Sequence, residues 1–220
     1  MRLPGLSMLC DSQYSRSFEM MVELGSMPVM KILSQATRII AEGEVLQLSK
    51  VRDASTTEET YMEVIRGKTA MLFEASTHSA AALAGATPEQ SEALRTFGDH
   101  LGVAFQLVDD LLDYRGDAET LGKNVGDDLA EGKPTLPLIY TMREGTPEQA
   151  ALVRKAIQKG GIEDLESIRV AVEASGSLEY TAQLARDYVA RAIVCLEALP
   201  PSEYRDALVE LSEFAVARTH

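Results

Sequence analysis

One stretch of the sequence carries acidic and amide side chains at a spacing suited to binding a divalent cation. Gln106, Asp109, Asp110 and Asp113 lie at i, i+3, i+4 and i+7, so in a helix they share one face. Crowded carboxylates repel one another, and more strongly where they are partly buried, so a positive partner is expected. Mg²⁺ takes oxygen ligands and is often held by one or two carboxylates together with substrate phosphates. For an Asp-Asp-x-x-Asp pattern alone, a solvated acidic helix face is the simpler interpretation.

The segment after the acidic face favours ligand binding over a solvated surface. Gly122, Gly126 and Gly132 allow the backbone to approach a ligand closely, and Lys123 and Lys133 add two cations. A diphosphate requires this combination, with a metal ion on one side and ammonium groups on the other. A mobile turn with ordinary surface lysines is the alternative, but it does not explain why so many special residues directly follow the acidic face.

Two upstream segments contain further polar groups that suit a phosphate. Lys68 and Thr69 follow Arg66-Gly67 within a long helical pattern, and they offer an ammonium group and a hydroxyl. The preceding helix carries Glu42-Gly43-Glu44-Val45-Leu46-Gln47. Taken alone, a Lys-Thr pair is more typical of a helix surface, and Gln47 of a structural hydrogen bond.

Apolar residues recur at helical spacing along nearly the whole sequence, which predicts an all-α fold. Thr-Pro-Glu-Gln occurs at 87–90 and at 146–149, and each copy predicts a helix start with a Gln that caps back. Two overlapping capping boxes are predicted within 55–59. The predicted helices span 12–24, 28–50, 57–84, 88–114, 134–144, 147–159, 163–174, 177–198 and 202–218. No linker divides the chain, so residues 1–220 are interpreted as one domain, a bundle whose core can hold a site.

Composition excludes several classes of protein. The 220 residues carry 21 Lys and Arg against 34 Asp and Glu, and a net charge of −13 disfavours nucleic-acid binding. No apolar run reaches the ~18 residues that a membrane span needs, and residues 1–10 lack the apolar core of a secretory signal. Two cysteines, Cys10 and Cys195, form no disulfide framework, so we expect a reducing, cytoplasmic location.

These motifs together resemble the trans-isoprenyl diphosphate synthases. The similarity is strongest in Glu42–Gln47, Lys68-Thr69, Phe105–Asp113 and Gly122–Pro137, and it extends from about Asp11 to the C-terminus. In detail the chain is most similar to the bacterial long-chain members, the octaprenyl and related polyprenyl diphosphate synthases that make quinone side chains. The resemblance implies an isoprenoid-synthase-like all-α bundle with a central cavity, usually a homodimer, that transfers a growing allylic chain onto isopentenyl diphosphate.

The resemblance also implies roles for individual residues. Asp109, Asp110 and Asp113 match the second of two aspartate-rich motifs, which hold the Mg²⁺ ions that ionise the allylic diphosphate. The other matches are with residues that contact or neutralise the diphosphates. Lys68 and Thr69 match the positions that contact the allylic diphosphate, Gln106 matches a residue that touches the prenyl diphosphate, and Lys123 and Lys133 match basic residues that neutralise it.

The chain departs from the family pattern at its start. Family members carry a first Asp-Asp-x-x-Asp motif, and further upstream a Gly-Lys-x-x-Arg-Pro site for isopentenyl diphosphate, neither of which occurs in this sequence. Residues 11–220 therefore match the C-terminal two thirds of a polyprenyl synthase, whereas residues 1–10 are atypical. We expect a bundle that is incomplete at the N-terminus and an impaired activity of this chain alone.

Two other functions are compatible with this pattern. A non-catalytic or regulatory subunit of a heteromeric prenyl synthase is the main alternative, but such subunits usually lose the aspartates that are retained here at Asp109, Asp110 and Asp113. A class I terpene cyclase shares the fold but usually carries Asn/Asp, Ser/Thr and Glu at wider spacing in its second metal motif. The aspartates and the following Gly-Lys-rich segment favour the prenyltransferase.

Overall fold

A computed structural model describes residues 4–115 and 126–217, with side chains from residue 12 onward. Every regular element in these ranges is helical, as the periodicity predicts. The helices are α1 (Pro4–Leu24), α2 (Met27–Lys50), α3 (Glu58–Ile65), α4 (Met71–Ala84), α5 (Pro88–Arg115), α6 (Asp127–Glu131), α7 (Leu136–Glu144), α8 (Pro147–Lys159), α9 (Leu165–Ala174), α10 (Ser177–Cys195) and α11 (Glu203–Ala217). None of the helices described is both long and apolar enough to cross a bilayer.

Most helix boundaries agree with the sequence prediction to within two residues, and four features differ. The helix predicted for 177–198 is α-helical only to Cys195 and continues as a 3-10 turn, Leu196–Ala198. Helix α1 begins at Pro4 rather than at residue 12, so part of the atypical N-terminal segment is helical. The single helix predicted for 57–84 is interrupted by a π-helical turn, Arg66–Ala70, which we call the π-turn. The short helix α6 was not predicted, because its five residues are fewer than two helical turns and leave no periodic pattern.

Side-chain caps fix several helix starts. The two Thr-Pro-Glu-Gln segments form the reciprocal bonds predicted for them, between Thr87 and Gln90 and between Thr146 and Gln149. The boxes predicted at 55–59 were wrong in register. Thr57 caps α3 by accepting a hydrogen bond from the backbone N–H of Thr60 at 3.3 Å, because residues 53–56 form a turn of their own.

Helix α5 lies at the centre of the described structure. It packs against α4 and α10, and α11 also contacts it. Its buried side chains belong to three apolar clusters and include Phe97, Leu101, Val103, Ala104, Leu107, Val108, Leu111, Leu112 and Tyr114. Burying one large apolar side chain contributes about 1.5–3 kcal/mol. A helix with this many buried groups is a firm support for side chains that have to keep their positions.

Close backbone contacts bring α2, the π-turn and α5 together. A Cβ added to Gly102 on α5 would lie 2.5 Å from the Cα of Ala70, at the end of the π-turn. A Cβ added to Gly43 on α2 would lie 2.7 Å from the backbone nitrogen of Lys68 and 2.8 Å from the carbonyl carbon of Gly67. Only glycine permits such approaches, so these positions fix how closely the helices that carry the polar motifs can pack.

The Gly43 contact makes a testable prediction for stability. Gly43→Ala should lower the free energy of unfolding by about 1–3 kcal/mol, because overpacking forces the backbones apart. Gly67→Ala is the matched control, since its added Cβ would meet nothing closer than the Cα of Gly43 at 3.3 Å. Urea unfolding of both variants measures the difference, and equal stability of the two would contradict the proposed role of the close approach.

Candidate active site

A cavity of about 250 Å³ opens between the C-terminal part of α2, α3 with the π-turn, the second half of α5 and residues 128–135. Most of the predicted site residues line it. The polar lining residues are Gln47, Lys50, Thr56, Tyr61, Lys68, Thr69, Gln106, Asp109, Asp110, Asp128, Lys133 and Thr135, and Val64, Ile65 and Pro134 complete the wall. Its carboxylates come from α5 and from the segment after it, and its ammonium groups come from α2, the π-turn and residue 133.

The π-turn supplies Lys68 and Thr69 to the cavity. The Nζ of Lys68 donates to the Oε1 of Gln47 at 2.5 Å and lies 3.0 Å from the Oε2 of Glu44, both on α2. Wider helical turns of this kind are frequent at functional sites. The upstream motifs that looked ordinary when each was taken alone therefore form one unit, in which α2 orients the ammonium group that the π-turn presents.

A chain of hydrogen bonds connects the π-turn to the acidic face of α5. The hydroxyl of Thr69 donates to the Oε1 of Gln106 at 2.9 Å, and the Nε2 of Gln106 donates to the Oδ1 of Asp110 at 2.6 Å. The hydroxyl of Tyr61, on α3, donates to the Oδ2 of Asp110 at 2.6 Å. Asp110 is only 3% exposed, so both of its oxygens are held by protein donors inside the wall of the cavity.

Burial and like charge raise the pKa values of two aspartates. The pKa of Asp110 is raised to about 8, mainly by burial and then by the charge of Asp128, although the donors Tyr61 and Gln106 oppose the shift. The pKa of Asp113 is raised to about 6 by burial and by Asp128, against hydrogen bonds from backbone N–H groups of residues 126–128. Burial is the larger cause of both shifts, and the like charge of Asp128 adds to each.

Asp113 lies one turn beyond the cavity lining. Its Oδ1 accepts a hydrogen bond from the backbone N–H of Gly126 at 3.1 Å, whereas its buried Oδ2 has no hydrogen-bond partner among the described residues. Buried polar atoms normally have partners, so an orphaned carboxylate oxygen suits a cation. Within residues 4–115 and 126–217, however, no three acidic, histidine or cysteine side chains form a ready-made metal cage. The carboxylates thus fit a cation that completes its coordination with water and phosphate, as Mg²⁺ does.

The side of the cavity that Asp109 and Asp110 of α5 line is called the acidic wall below. Lys133 and Asp128, which also line the cavity, form an ion pair with each other. The Nζ of Lys133 lies 3.0 Å from the Oδ1 of Asp128 and 2.8 Å from the Oε2 of Glu131. Burial opposes the charge of Lys133, but the two carboxylates outweigh it and raise the pKa of the ammonium group above its usual value. Lys123, the other lysine predicted from this segment, lies outside the described residues.

Five polar lining residues were missed by the sequence analysis. They are Lys50, Thr56, Tyr61, Asp128 and Thr135. A signal existed for most of them. Lys50 lies one helical turn after Gln47 on α2, Tyr61 precedes Lys68 by seven residues, and Asp128 and Thr135 belong to the Gly-Lys-rich segment. Thr56 lies in the turn at 51–57, which no periodic pattern indicates.

Residues 8–174 match the family model described as polyprenyl synthetase. The chain belongs to the polyprenyl synthetase family. The octaprenyl diphosphate synthase of Escherichia coli (strain K12) is 53% identical over 209 residues, which cover 94% of this chain and 65% of that protein. The octaprenyl diphosphate synthase of Haemophilus influenzae is 46% identical over 211 residues, or 96% of this chain and 64% of that protein. The resemblance identified from the motifs is thereby confirmed.

Solved structures of polyprenyl synthetase relatives have the same fold. A polyprenyl synthase from Caulobacter crescentus CB15, complexed with calcium and isoprenyl diphosphate, superposes with a TM-score of 0.91 at 45% identity. The match covers 96% of this chain and 65% of that one. A decaprenyl diphosphate synthase from Rhodobacter capsulatus gives a TM-score of 0.88 at 42% identity, over 96% and 65% of the two chains. The all-α isoprenoid-synthase-like fold is confirmed, and the chain spans about two thirds of its relatives' length.

The raised pKa values of this polyprenyl synthetase chain predict a pH dependence of stability. The folded pKa values of Asp110 and Asp113, about 8 and about 6, exceed the ordinary value of 3.8, so the folded state binds more protons in this window. Stability should therefore fall as the pH rises from about 5 to about 8.5 in EDTA. Asp110→Asn should show a smaller fall in urea unfolding experiments, and an undiminished fall would contradict the assignment to Asp110.

Proposed function

We propose that this protein acts in the synthesis of a long-chain all-trans polyprenyl diphosphate, most like octaprenyl diphosphate, for quinone side chains. In this reaction isopentenyl diphosphate units are added to an allylic diphosphate. Family membership and the names of the octaprenyl diphosphate synthases at 53% and 46% identity support the proposal. Its location would be the cytoplasm, in line with the cysteine usage of the sequence.

The observation that carries the proposal is the separation of charge across one cavity. Asp109 and Asp110 lie on its α5 wall, whereas Lys68 and Lys133 approach from the π-turn and from the segment after α6. A diphosphate needs cations on both sides, and the lysines supply one side only. Mg²⁺ between the carboxylates and the phosphates would supply the other side, and carboxylate oxygens are the ligands that it prefers.

In this proposal, some residues of the chain bind the allylic diphosphate and others stabilise its negative charge. Lys68 and Thr69 would bind the allylic diphosphate from the π-turn, Gln106 would touch it from α5, and Lys133 would help to neutralise it, as we propose also for Lys123. Ammonium groups held in place before the reaction stabilise the charge that develops on a departing diphosphate. Val64 and Ile65, the apolar residues on the cavity wall, would help to keep water away from the allylic chain.

When bound, Mg²⁺ supplies Lewis-acid stabilisation of the same departing charge. Asp109, Asp110 and Asp113 are the proposed carboxylates for it, and the orphaned oxygen of Asp113 supports their inclusion. Because the three do not converge on one point in the described structure, we propose that they act through water and phosphate oxygens as well as directly.

Binding of farnesyl diphosphate tests the proposal directly. Calorimetry should show binding to the 220-residue chain in Mg²⁺ and none in EDTA. A hydrogen bond to a charged group contributes about 1.5–3 kcal/mol, so Lys68→Ala should weaken the affinity ten-fold or more. Lys155→Ala, which removes an exposed lysine of α8 away from the cavity, is the control and should bind like the wild type. Absence of EDTA-sensitive binding would contradict the proposed function.

The same samples separate binding from synthesis when radiolabelled isopentenyl diphosphate is added. We expect little elongated product from this chain alone, because the Gly-Lys-x-x-Arg-Pro site and the first aspartate motif are absent from its sequence. Robust polyprenyl product would overturn that expectation while strengthening the assignment as a synthase.

We also propose that the protein is a homodimer. Helices α1 and α2 pack against each other, and both expose large apolar side chains. These include Tyr14, Phe18, Met20, Val22, Leu24, Met27, Val45 and Leu48. Exposed apolar surface of this extent is typical of an interaction site.

Light scattering after gel filtration tests the homodimer. The expected mass is twice the 23.9 kDa of one chain, and Val22→Glu should shift the protein towards the monomer because it places a charge on the apolar surface. Lys155→Ala again serves as the control. A monomer at concentrations of tens of micromolar would be the contrary result.

A further inference from the structure

A tyrosine that belongs to none of the sequence motifs reaches the centre of the acidic wall. Tyr61 lies on α3 and is 4% exposed, and its hydroxyl donates to the Oδ2 of Asp110 at 2.6 Å. Its ring packs in the apolar cluster formed by α5, the π-turn and α10. The ring thus has a structural setting of its own, whereas the hydroxyl is directed at a carboxylate of the site.

The hydroxyl of Tyr61 completes the set of donors around Asp110. Gln106 occupies the other carboxylate oxygen at 2.6 Å, and Gln106 itself accepts a hydrogen bond from Thr69 at 2.9 Å. Two donors on opposite oxygens fix the rotation of a carboxylate, which a single donor leaves free to turn.

We propose that Tyr61 is a positioning residue, whose hydroxyl fixes the orientation of the Asp110 carboxylate and so prepares the acidic wall for a divalent cation. The inference rests on the proposed function, because it names a support for the same site. Residues that hold the groups around a metal ion typically change the metal affinity 10–100-fold when they are lost. Tyr61 would have such an effect without touching either cation or substrate.

Substitution by phenylalanine isolates the hydroxyl from the ring. Tyr61→Phe keeps the ring that packs in the core and removes only the donor. Tyr114→Phe is the matched control, because Tyr114 is also buried, at 2% exposure, and its hydroxyl bonds the side chain of Thr135 at 3.3 Å rather than a carboxylate. Both variants lose one buried hydrogen bond, so urea unfolding should report a modest loss of stability for each.

Binding of Mn²⁺, followed by electron paramagnetic resonance of the free ion, measures the effect on the site. The probe is Mn²⁺ alone and Mn²⁺ with inorganic diphosphate, added to the full 220-residue chain. We expect about a ten-fold loss of Mn²⁺ affinity in Tyr61→Phe and no more than a two-fold change in Tyr114→Phe. A role limited to packing or stability would instead leave Mn²⁺ affinity alike in the two variants.

A double-mutant cycle shows whether Tyr61 acts through Asp110. If it does, Tyr61→Phe should weaken Mn²⁺ binding in the wild-type background but have no further effect in Asp110→Asn. Additive losses in the double variant would overturn the positioning role, since Tyr61 would then act independently of Asp110.

The outcomes separate this inference from the proposed function. Wild-type binding of Mn²⁺ with an unchanged affinity in Tyr61→Phe would overturn the positioning role and leave the proposed function standing. If the wild type bound no Mn²⁺, with or without diphosphate, both the positioning role and the cation-dependent function would fail. Binding by the wild type, a selective loss in Tyr61→Phe and non-additivity with Asp110→Asn together would establish the inference.

Discussion

The burial of Asp110 in the central helix is the constraint on which the rest of the site depends. A buried carboxylate is costly unless donors and opposite charge surround it. Tyr61 and Gln106 supply the donors, but burial and then the like charge of Asp128 still raise the pKa of Asp110 to about 8. The wall is therefore suited to positive charge from outside the chain, and α5, which carries this unfavourable group, is held by many buried apolar side chains.

The lysines of the cavity show the opposite condition, because their charges are already paired. Lys68 contacts Glu44 and Gln47, and Lys133 contacts Asp128 and Glu131. A diphosphate that bound here would have to replace the present partners of these ammonium groups, because neither ammonium group is unpaired. Its binding free energy would then be the difference between two sets of charge-assisted hydrogen bonds, to which a bound cation would add.

The fold and much of the site could be predicted from the sequence, for reasons that differ between residues. Gln106, Asp109 and Asp110 were found because helical spacing alone places them on one face, and the structure puts all three on the cavity wall. Tyr61 was missed because its role comes from a contact 49 positions away in sequence. The register of the caps at 55–59 was also missed, since the local turn at Asp53 competes for the same hydroxyls.

The π-turn shows why spacing alone could not place Lys68 and Thr69. A π-helical turn shifts the register of the side chains that follow it, so the helical spacing of the sequence does not fix which of them face the cavity. The π-turn widens the helix at this point, and the cavity is lined by both residues. Such a turn needs room, and the glycine backbone of α2 provides it where a Cβ on Gly43 would collide with Lys68. The placement of Lys68 and Thr69 on the cavity wall therefore depends on Gly43, a residue of a different helix that has no side chain to contribute.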